Sequence, residues 1–480
     1  MTKELKRLIA DLTQVDALMQ RTEATFREYI REVHPTNRRN AANLLHYMAL
    51  RSLDIRDMQD VLHATGLSSL ASSESHIRGQ VLAILQRLGS RRKTPSGVFT
   101  YDAAAASLHR KSEGLFGKRS RQGIPYIMVT FDTCHADDYA SVKNLLLSGM
   151  NVARINCAHD DESAWFRMIQ QVRRASRVTG MPCKIYMDLA GPKIRTVVPG
   201  GGKLKIREGE LLCLTDEAHF EAGIPHSIGC TIPGIAAQLQ VGETVLFDDG
   251  LVEARVEKTE ALCATLQVMR ISSKKPVIRH EKGINFPESN LSLSALTDFD
   301  RSCLPFVQKH ADLLGYSFLR TTRDLHELRE AMGSGKRPSI ILKIETPEAV
   351  KNLPSLLFSG MQDTFAGVMI ARGDLAVEIG FERMSEIQEE ILWICEAAHV
   401  PVIWATQVLE NLNKSGIATR SEVTDAAYAA HADCVMINKG DFTIHVIEML
   451  KDILQRSGGH HVKKRYTFRP LSIAARFMSS

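Results

Sequence analysis

The sequence predicts an α/β protein: a closed barrel of eight parallel strands, interrupted by an all-β domain and preceded by a helical domain. Three observations predict this fold. Eight short apolar segments each precede a helical pattern, one interval between them holds more than 100 residues of alternating character, and the first 89 residues have helical periodicity. Continuous apolar runs are typical of parallel strands buried on both faces, whereas alternation is typical of half-buried strands.

Length and composition limit the function classes. The 480 residues correspond to about three domains, and 44% apolar with 24% charged residues excludes disordered and collagen-like chains. A net charge of +5 is too balanced to indicate nucleic-acid binding by the whole protein. We find neither a signal peptide nor the roughly 20 apolar residues of a membrane span. The nine cysteines are scattered. We therefore expect a soluble cytoplasmic protein with reduced thiols.

Residues 1–89 are assigned to the helical domain. Apolar residues recur in a seven-residue repeat from Leu5 to Val33, which predicts one amphipathic helix ended by Pro35. The apolar seam packs either within its own domain or against a second copy of the chain, so a homo-oligomer through these helices is one expectation.

A helix–turn–helix pattern around Gly66 leaves DNA binding as a weaker alternative to docking or dimerisation. The second helix offers only Arg78 as a cation, and phosphate contacts normally need several. Residues 90–122 hold eight lysines and arginines against Asp102 and Glu113, and we interpret them as a basic linker.

The barrel is assigned to residues 123–196 and 280–457. The inserted β domain, a lid over the barrel mouth, is assigned to 197–279, and a C-terminal tail to 458–480. This is a (β/α)8 or TIM-barrel architecture. The segments predicted as barrel strands are Ile124–Thr130, Asn151–Asn156, Cys183–Leu189, Ala311–Phe318, Ser339–Glu345, Gly367–Asp374, Val400–Gln407 and Asp433–Lys439.

The ends of these strands are polar, and barrel enzymes carry their sites there. Lys343 and Glu345 are two residues apart and so face the same side of the fifth strand. Glu345 and Asp374 are candidate ligands of Mg²⁺ (or Mn²⁺), which prefers one or two carboxylates plus water and substrate oxygens. Cations around such a metal suit phosphoryl transfer. The other polar strand-end residues are Arg154, Asn156, Asp188, Lys193, Arg195, Arg372, Gly373, Thr406, Gln407, Asn438 and Lys439.

The strand-end motifs resemble those of the pyruvate kinase family, in the order of that family. They are GMNVARINCAH, DLAGPKIRT, FDDGLV, KGINFP, LKIETPEAVKNL, GVMIARGDLAVEI, and PVIWATQVLENL with TRSEVTDAA. The resemblance covers about residues 124–454, and the inserted β domain lies where the family has its lid. Residues 1–120 match nothing in the common enzyme, and the short tail implies that the family's carboxyl-terminal domain is missing.

The resemblance implies the glycolytic transfer of a phosphoryl group from phosphoenolpyruvate to ADP, giving pyruvate and ATP, with Mg²⁺ as cofactor. The metal would also hold the substrate carboxylate and the enolate oxygen. The resemblance assigns Lys343, Arg154 and Thr406 to catalysis, and Glu345 and Asp374 to the metal. It assigns the backbone of Arg372 and Gly373, with Asp374 and Thr406, to the substrate. The residues that it assigns to the nucleotide are Arg154, Asn156, His159, Arg195 and Lys282.

The sequence departs from the family at its potassium site. The positions of the family's four oxygen ligands are Asn156, Ala158, Asp188 and Leu189 here, so that two of the ligands are lost. Lys193 stands where the family has glutamate. Lysine at that position is what potassium-independent members show, and an ammonium supplies the missing positive charge. The resemblance therefore implies that K⁺ is not required.

Two further departures leave alternatives open. Thr130–Thr133 and Asn438–Asp441 differ from the family's T-I-G-P and S-G-E, in a region that takes part in protonating the enolate. One alternative is a barrel that performs Mg²⁺-enolate chemistry of the aldolase or lyase type. Another is a non-catalytic ligand-sensing module. ADP binding distinguishes the phosphotransferase from the aldolase or lyase alternative, because an aldolase or lyase barrel needs neither the lid nor a nucleotide site.

Overall fold

The structure, a computed structural model, describes residues 2–118, 124–216, 226–272, 276–458, 461–462 and 465–466. The predicted tail, 458–480, therefore lies almost entirely outside the described residues. Eight parallel strands close into a barrel in which each strand pairs with the next and the eighth pairs with the first, which confirms the predicted fold class. The barrel strands are Tyr126–Thr130, Val152–Asn156, Lys184–Asp188, Leu313–Tyr316, Ser339–Ile344, Ala366–Ala371, Val402–Ala405 and Cys434–Ile437.

The strand register brings the polar residues to one mouth of the barrel. Asn156 at the end of the second strand is paired with Asp188 at the end of the third. Val129 in the first strand is paired with Ile437 in the eighth, so the segments that follow these two strands are neighbours. Residues 130–133 and 438–441, far apart in the sequence, therefore meet at the same edge.

The inserted domain has its own apolar core, separate from that of the barrel. Alternation is clear where Val252, Ala254 and Val256 are buried on one face of their strand. A two-stranded sheet pairs Lys203–Lys205 with Val277–Arg279. The main seven-stranded sheet contains Thr196–Val197, Leu211–Asp216, Ser227–Cys230, Thr244–Phe247, Val252–Thr259, Cys263–Ile271 and Ile284–Asn285.

The expectation that all thiols are reduced is wrong for one pair. Cys213 and Cys263 lie on adjacent antiparallel strands of the inserted domain, with their Cα atoms 6.1 Å apart, and form a disulfide. The cysteines are 50 residues apart in the sequence, so only the strand pairing brings them together.

The N-terminal helices pack against the barrel and share its hydrophobic core. The single helix predicted from Leu5 to Val33 is divided at Phe26. The part of the seam from Leu8 to Met19 is buried within the chain itself, where its helix packs against the helices Arg38–Arg51 and Ile77–Arg87. Phe26 and Tyr29, farther along the seam, are exposed. The helices are α1 Lys3–Thr25, α2 Arg27–Glu32, α3 Arg38–Arg51, α4 Arg56–Ala64, α5 Ile77–Arg87 and α6 Tyr101–Phe116.

Two interpretations of the N-terminal region are changed by the packing. Arg78, the cation on which the DNA-binding alternative depended, is buried and donates to Asp16 at 2.8 Å. Residues 90–122, interpreted as a basic linker, contain the 16-residue helix α6. Its apolar side places Leu115 and Phe116 in one cluster with the inward-facing residues of the barrel strands. The high density of basic residues conceals this apolar side in the sequence.

The remaining helices surround the barrel. In the part of the chain that the structure describes, no helix is long and apolar enough to cross a membrane. The helices are α7 Tyr139–Ser148, α8 Glu162–Thr179, α9 Asp298–His310, α10 Thr322–Met332, α11 Pro347–Lys351, α12 Leu353–Gly360, α13 Arg372–Ile379, α14 Met384–Ala397, α15 Glu410–Ser415, α16 Arg420–Tyr428 and α17 Thr443–Gly458.

Candidate active site

A buried carboxylate, Asp188, organises the cations at the barrel mouth. Its Oδ2 lies 2.5 Å from Nη2 of Arg154 and 3.3 Å from Nζ of Lys343. The Tyr186 hydroxyl donates to Oδ1 at 3.0 Å. Burial alone would raise the pKa of Asp188, but the charges of Lys343 and Arg154 outweigh it and hold the pKa below its ordinary value. Asp188 therefore stays ionised and fixes both cations.

Lys343 bridges Asp188 and Glu345. Its ammonium donates to Oγ of Ser317 at 2.6 Å and lies 3.0 Å from Oε1 of Glu345. Lys343 and Glu345 thus share one face, as strand alternation predicts. Burial would lower the pKa of Lys343, but the charges of Asp188 and Glu345 outweigh it and raise the pKa above its usual value. The side chain is a fixed cation.

Glu345 and Asp374, the candidate metal ligands, are each in contact with a lysine. The backbone N–H of Phe318 donates to Oε2 of Glu345 at 2.6 Å. Asp374 lies in the first turn of α13, where its Oδ1 is 2.6 Å from Nζ of Lys193. Burial raises the pKa of Glu345 above its ordinary value, against the effect of Lys343 and with a further increase from the charge of Asp374.

The donor set of these two residues fits Mg²⁺. No group of three or more His, Cys, Asp and Glu side chains that could hold a metal occurs within the described residues. The protein therefore offers a pair of carboxylates rather than a closed cage, and Mg²⁺ commonly binds such pairs together with water and substrate oxygens. A divalent cation also stabilises the ionised form of a carboxyl group whose pKa is raised by burial.

Gly373 and Thr406 contact one another at the next two strand ends. The Gly373 N–H donates to Oγ1 of Thr406 at 2.9 Å. A Cβ at Gly373 would lie 3.0 Å from that oxygen, so a larger residue would displace the hydroxyl. Thr406 and Gln407 have φ angles of 29° and 55°, in the left-handed region that non-glycine residues adopt only when the surroundings hold them there.

The Arg372 side chain stabilises this turn. Its guanidinium donates to the carbonyl oxygens of Ala405 at 3.1 Å and Thr406 at 2.6 Å. It also forms an ion pair with Asp425. The guanidinium is thus engaged with protein groups, and the assignment of the Arg372 backbone to the substrate stays a prediction.

The residues assigned to the nucleotide fall into two groups. Arg154, Asn156 and His159 line a cavity of about 490 Å³ at the ends of the first, second and eighth strands. The described lining of that cavity does not include Arg195 or Lys282. These two lie at the base of the lid, where Arg195 donates to the Glu281 carbonyl at 3.1 Å and Lys282 lies 3.0 Å from an oxygen of Asp248.

Sequence reasoning missed three contributors to the site. The resemblance gives Asp188 only a place in the potassium site, although it lies two residues after Tyr186, so that strand alternation places it with the inward-facing residues. Ser317 was not considered. Glu378, whose pKa is raised by burial, accepts a hydrogen bond from Asn285 of the inserted sheet at 2.7 Å and so connects the lid to α13.

Comparison with known proteins shows the family of the chain. The family model described as pyruvate kinase, barrel domain, matches residues 126–444. The chain belongs to the pyruvate kinase family. It is 33% identical to pyruvate kinase 2 of Trypanosoma brucei brucei over 326 residues, which are 65% of this chain and 63% of the relative. It is 31% identical to pyruvate kinase of Geobacillus stearothermophilus over 322 residues, 65% of this chain and 53% of the relative.

The fraction of each relative's length that this chain matches differs from one relative to another. For pyruvate kinase of Thermotoga maritima the identity is 31% over 341 residues, 70% of each chain. Against the trypanosome pyruvate kinases the chain spans less than two thirds of the relative's length. The match covers the barrel with its lid, and the N-terminal helices described above precede it.

Proposed function

We propose that this pyruvate kinase-family chain transfers a phosphoryl group from phosphoenolpyruvate to ADP, giving pyruvate and ATP, with Mg²⁺ or Mn²⁺ as cofactor. The observation that carries the proposal is the buried cluster in which Asp188 fixes Arg154 and Lys343 beside the carboxylates Glu345 and Asp374. Phosphoryl transfer requires little covalent chemistry from the protein and depends mainly on fixed positive charge around the group in transit.

Each residue of the cluster has a distinct part in this reaction. Glu345 and Asp374 would hold the metal, which when bound would supply positive charge for the enolate oxygen. Lys343 and Arg154 offset the negative charge of the transferring group. Because Asp188 holds both cations in place before the substrate arrives, little reorganisation is needed in the transition state.

The substrate carboxylate is proposed to bind at the start of α13. The free backbone N–H groups of a helix N-terminus attract an anion, and Gly373 allows a ligand to approach the backbone closely. The Thr406 hydroxyl, already held by the Gly373 N–H, would complete the seat and lie close to the carbon that is protonated.

We further propose that the reaction does not require K⁺. The Lys193 ammonium lies between the third strand and α13 and contacts Asp374. Asn156 Oδ1, a ligand in the family's potassium site, accepts the Ala158 N–H at 3.1 Å here, and Asp188 is bound to Arg154 and Lys343. A lysine in this position supplies the monovalent positive charge itself.

The direct test is formation of pyruvate from phosphoenolpyruvate and ADP with Mg²⁺, together with calorimetric titration of ADP. Turnover supports the proposal. ADP binding without turnover, or phosphoenolpyruvate binding without ADP binding, would instead favour the ligand-sensing or enolate-chemistry alternatives. These alternatives rest on Thr130–Thr133 and Asn438–Asp441, two segments that differ from the family's motifs.

A further inference from the structure

Lys439, at the end of the eighth strand, faces the cavity that also contains Arg154, Asn156 and His159. Pairing of the first and eighth strands brings it beside Asp132, with Nζ 3.8 Å from Oδ1. Both side chains are about half exposed. Exposed ion pairs contribute little to stability, so Asp132 holds the Lys439 ammonium only weakly.

The other cations of this cavity are paired more closely. Arg154 lies 2.5 Å from Asp188, and Lys414 lies 2.5 Å from Glu410. Asp132, in contrast, already accepts the Thr133 N–H on the oxygen nearest Lys439. Of the lysine and arginine side chains described in the cavity lining, Lys439 therefore has the loosest ion pair.

The positive charge of Lys439 extends over the cavity. Burial, followed by the charges of Lys439 and Arg195, lowers the pKa of His159, which lines the same cavity. An anion that enters beside Arg154 would therefore meet a second cation on the eighth strand. Arg154 contacts Asp188 and also lines this cavity. The cavity is therefore continuous with the cluster proposed for phosphoryl transfer.

We propose that Lys439 binds the diphosphate of the acceptor nucleotide and so is a further substrate-binding residue of this chain. The inference rests on the proposed function, because it takes the acceptor to be a nucleoside diphosphate. A charge-assisted hydrogen bond to phosphate, gained at the expense of a loose pair with Asp132, favours the bound state.

The test is calorimetric titration of ADP and adenosine into the unsubstituted chain, Lys439→Gln and Lys414→Gln. Lys414 is the matched control, since it lines the same cavity and its removal changes the charge equally. We expect Lys439→Gln to weaken ADP binding about tenfold while adenosine binding is unchanged, and Lys414→Gln to change ADP binding less than twofold. Lys439→Arg should retain most of the affinity.

Equal losses in the two glutamine variants would show a diffuse charge effect and overturn the proposal. A loss for adenosine as large as that for ADP would place Lys439 at the base or ribose and also overturn it. Pyruvate formation is assayed separately on the unsubstituted chain. ADP binding that depends on Lys439 without turnover would contradict the proposed reaction while leaving this assignment intact.

Discussion

The ammonium of Lys193 lies 2.6 Å from Oδ1 of Asp374, although the two residues are 181 positions apart in the chain. Lys193 follows the third barrel strand and Asp374 lies in the first turn of α13. The contact therefore crosses the mouth of the barrel. It places a permanent cation beside one of the two carboxylates proposed to hold the metal.

The first prediction concerns monovalent ions. We expect the rate of pyruvate formation to change less than twofold when tetramethylammonium is replaced by K⁺ at constant ionic strength. Lys193→Met should lower kcat/KM at least about tenfold, because it removes charge stabilisation worth more than about 1.4 kcal/mol. K⁺ should not restore it, since Ala158 and Leu189 have no side-chain oxygen to bind the ion. A several-fold stimulation of the unsubstituted chain by K⁺ would contradict the role given to Lys193.

The second prediction concerns the close approach of Gly373 to Thr406. Gly373→Ala would place a methyl group 3.0 Å from the Thr406 hydroxyl and weaken the hydrogen bond between them. We expect the KM for phosphoenolpyruvate to rise, or kcat to fall, by about tenfold or more, because small displacements at a reacting centre have large effects. The control is Gly335→Ala, where a Cβ meets no atom within 4 Å. Equal kinetics in the two variants would exclude the proposed carboxylate seat.

The third prediction concerns Lys111, which connects α6 to Asn37 and to the carbonyl oxygen of Thr364. Burial, with a smaller effect of Arg110, lowers the pKa of Lys111 from 10.5 to about 8. Above pH 8 the folded protein releases this proton while the unfolded chain keeps it up to about pH 10.5, so the unfolded chain binds more protons. The contribution of Lys111 to the free energy of unfolding should therefore rise between pH 8 and pH 10.

This contribution is measured by urea denaturation at several pH values, with Lys111→Met as the comparison. The free energy of unfolding of the unsubstituted chain should increase more steeply with pH than that of the variant. Identical slopes would show that Lys111 titrates normally in the folded protein.

The fourth prediction concerns the connection between the N-terminal helices and the barrel. The buried Asn43 side chain in α3 donates to the carbonyl oxygens of Glu74 and Ala397, each at 2.8 Å. Asn43→Ala removes both hydrogen bonds from a buried site and should lower the free energy of unfolding by about 2–4 kcal/mol. The exposed Asn411→Ala should change it by less than about 0.5 kcal/mol. A loss at Asn43 no larger than at Asn411 would show that these bonds do not hold the two parts together.

The barrel could be predicted from the sequence because its strands are buried on both faces. The continuous apolar run from Ala366 to Ala371, followed by a helical pattern, is typical of such a strand. The helix α6 could not be predicted with the same certainty. It lies in a segment rich in lysines and arginines, and its partner surface, the inner side of the barrel strands, is formed by residues distant in sequence.

The site was predictable only to the extent that local periodicity determines it. Lys343 and Glu345 share a face because they are two residues apart in one strand. The contact of Lys343 with Asp188 depends on the closure of the barrel, and that of Cys213 with Cys263 on which strands of the inserted sheet pair. No local pattern in the sequence carries that information. The strand-end motifs identify the family. They give Asp188 a place in the potassium site, but they do not indicate that it is the anion that fixes Arg154.

The most direct test of the central claim is the rate of pyruvate formation from phosphoenolpyruvate and ADP with Mg²⁺, compared between the unsubstituted chain and Lys343→Met. Phosphoenolpyruvate binding measured by calorimetry verifies that the variant is folded. The account predicts turnover in the unsubstituted chain and a loss of about 10³-fold or more in the variant, since a positioned cation is removed from the transferring group. Similar rates in the two proteins, or no turnover by an unsubstituted chain that binds both substrates, would contradict it.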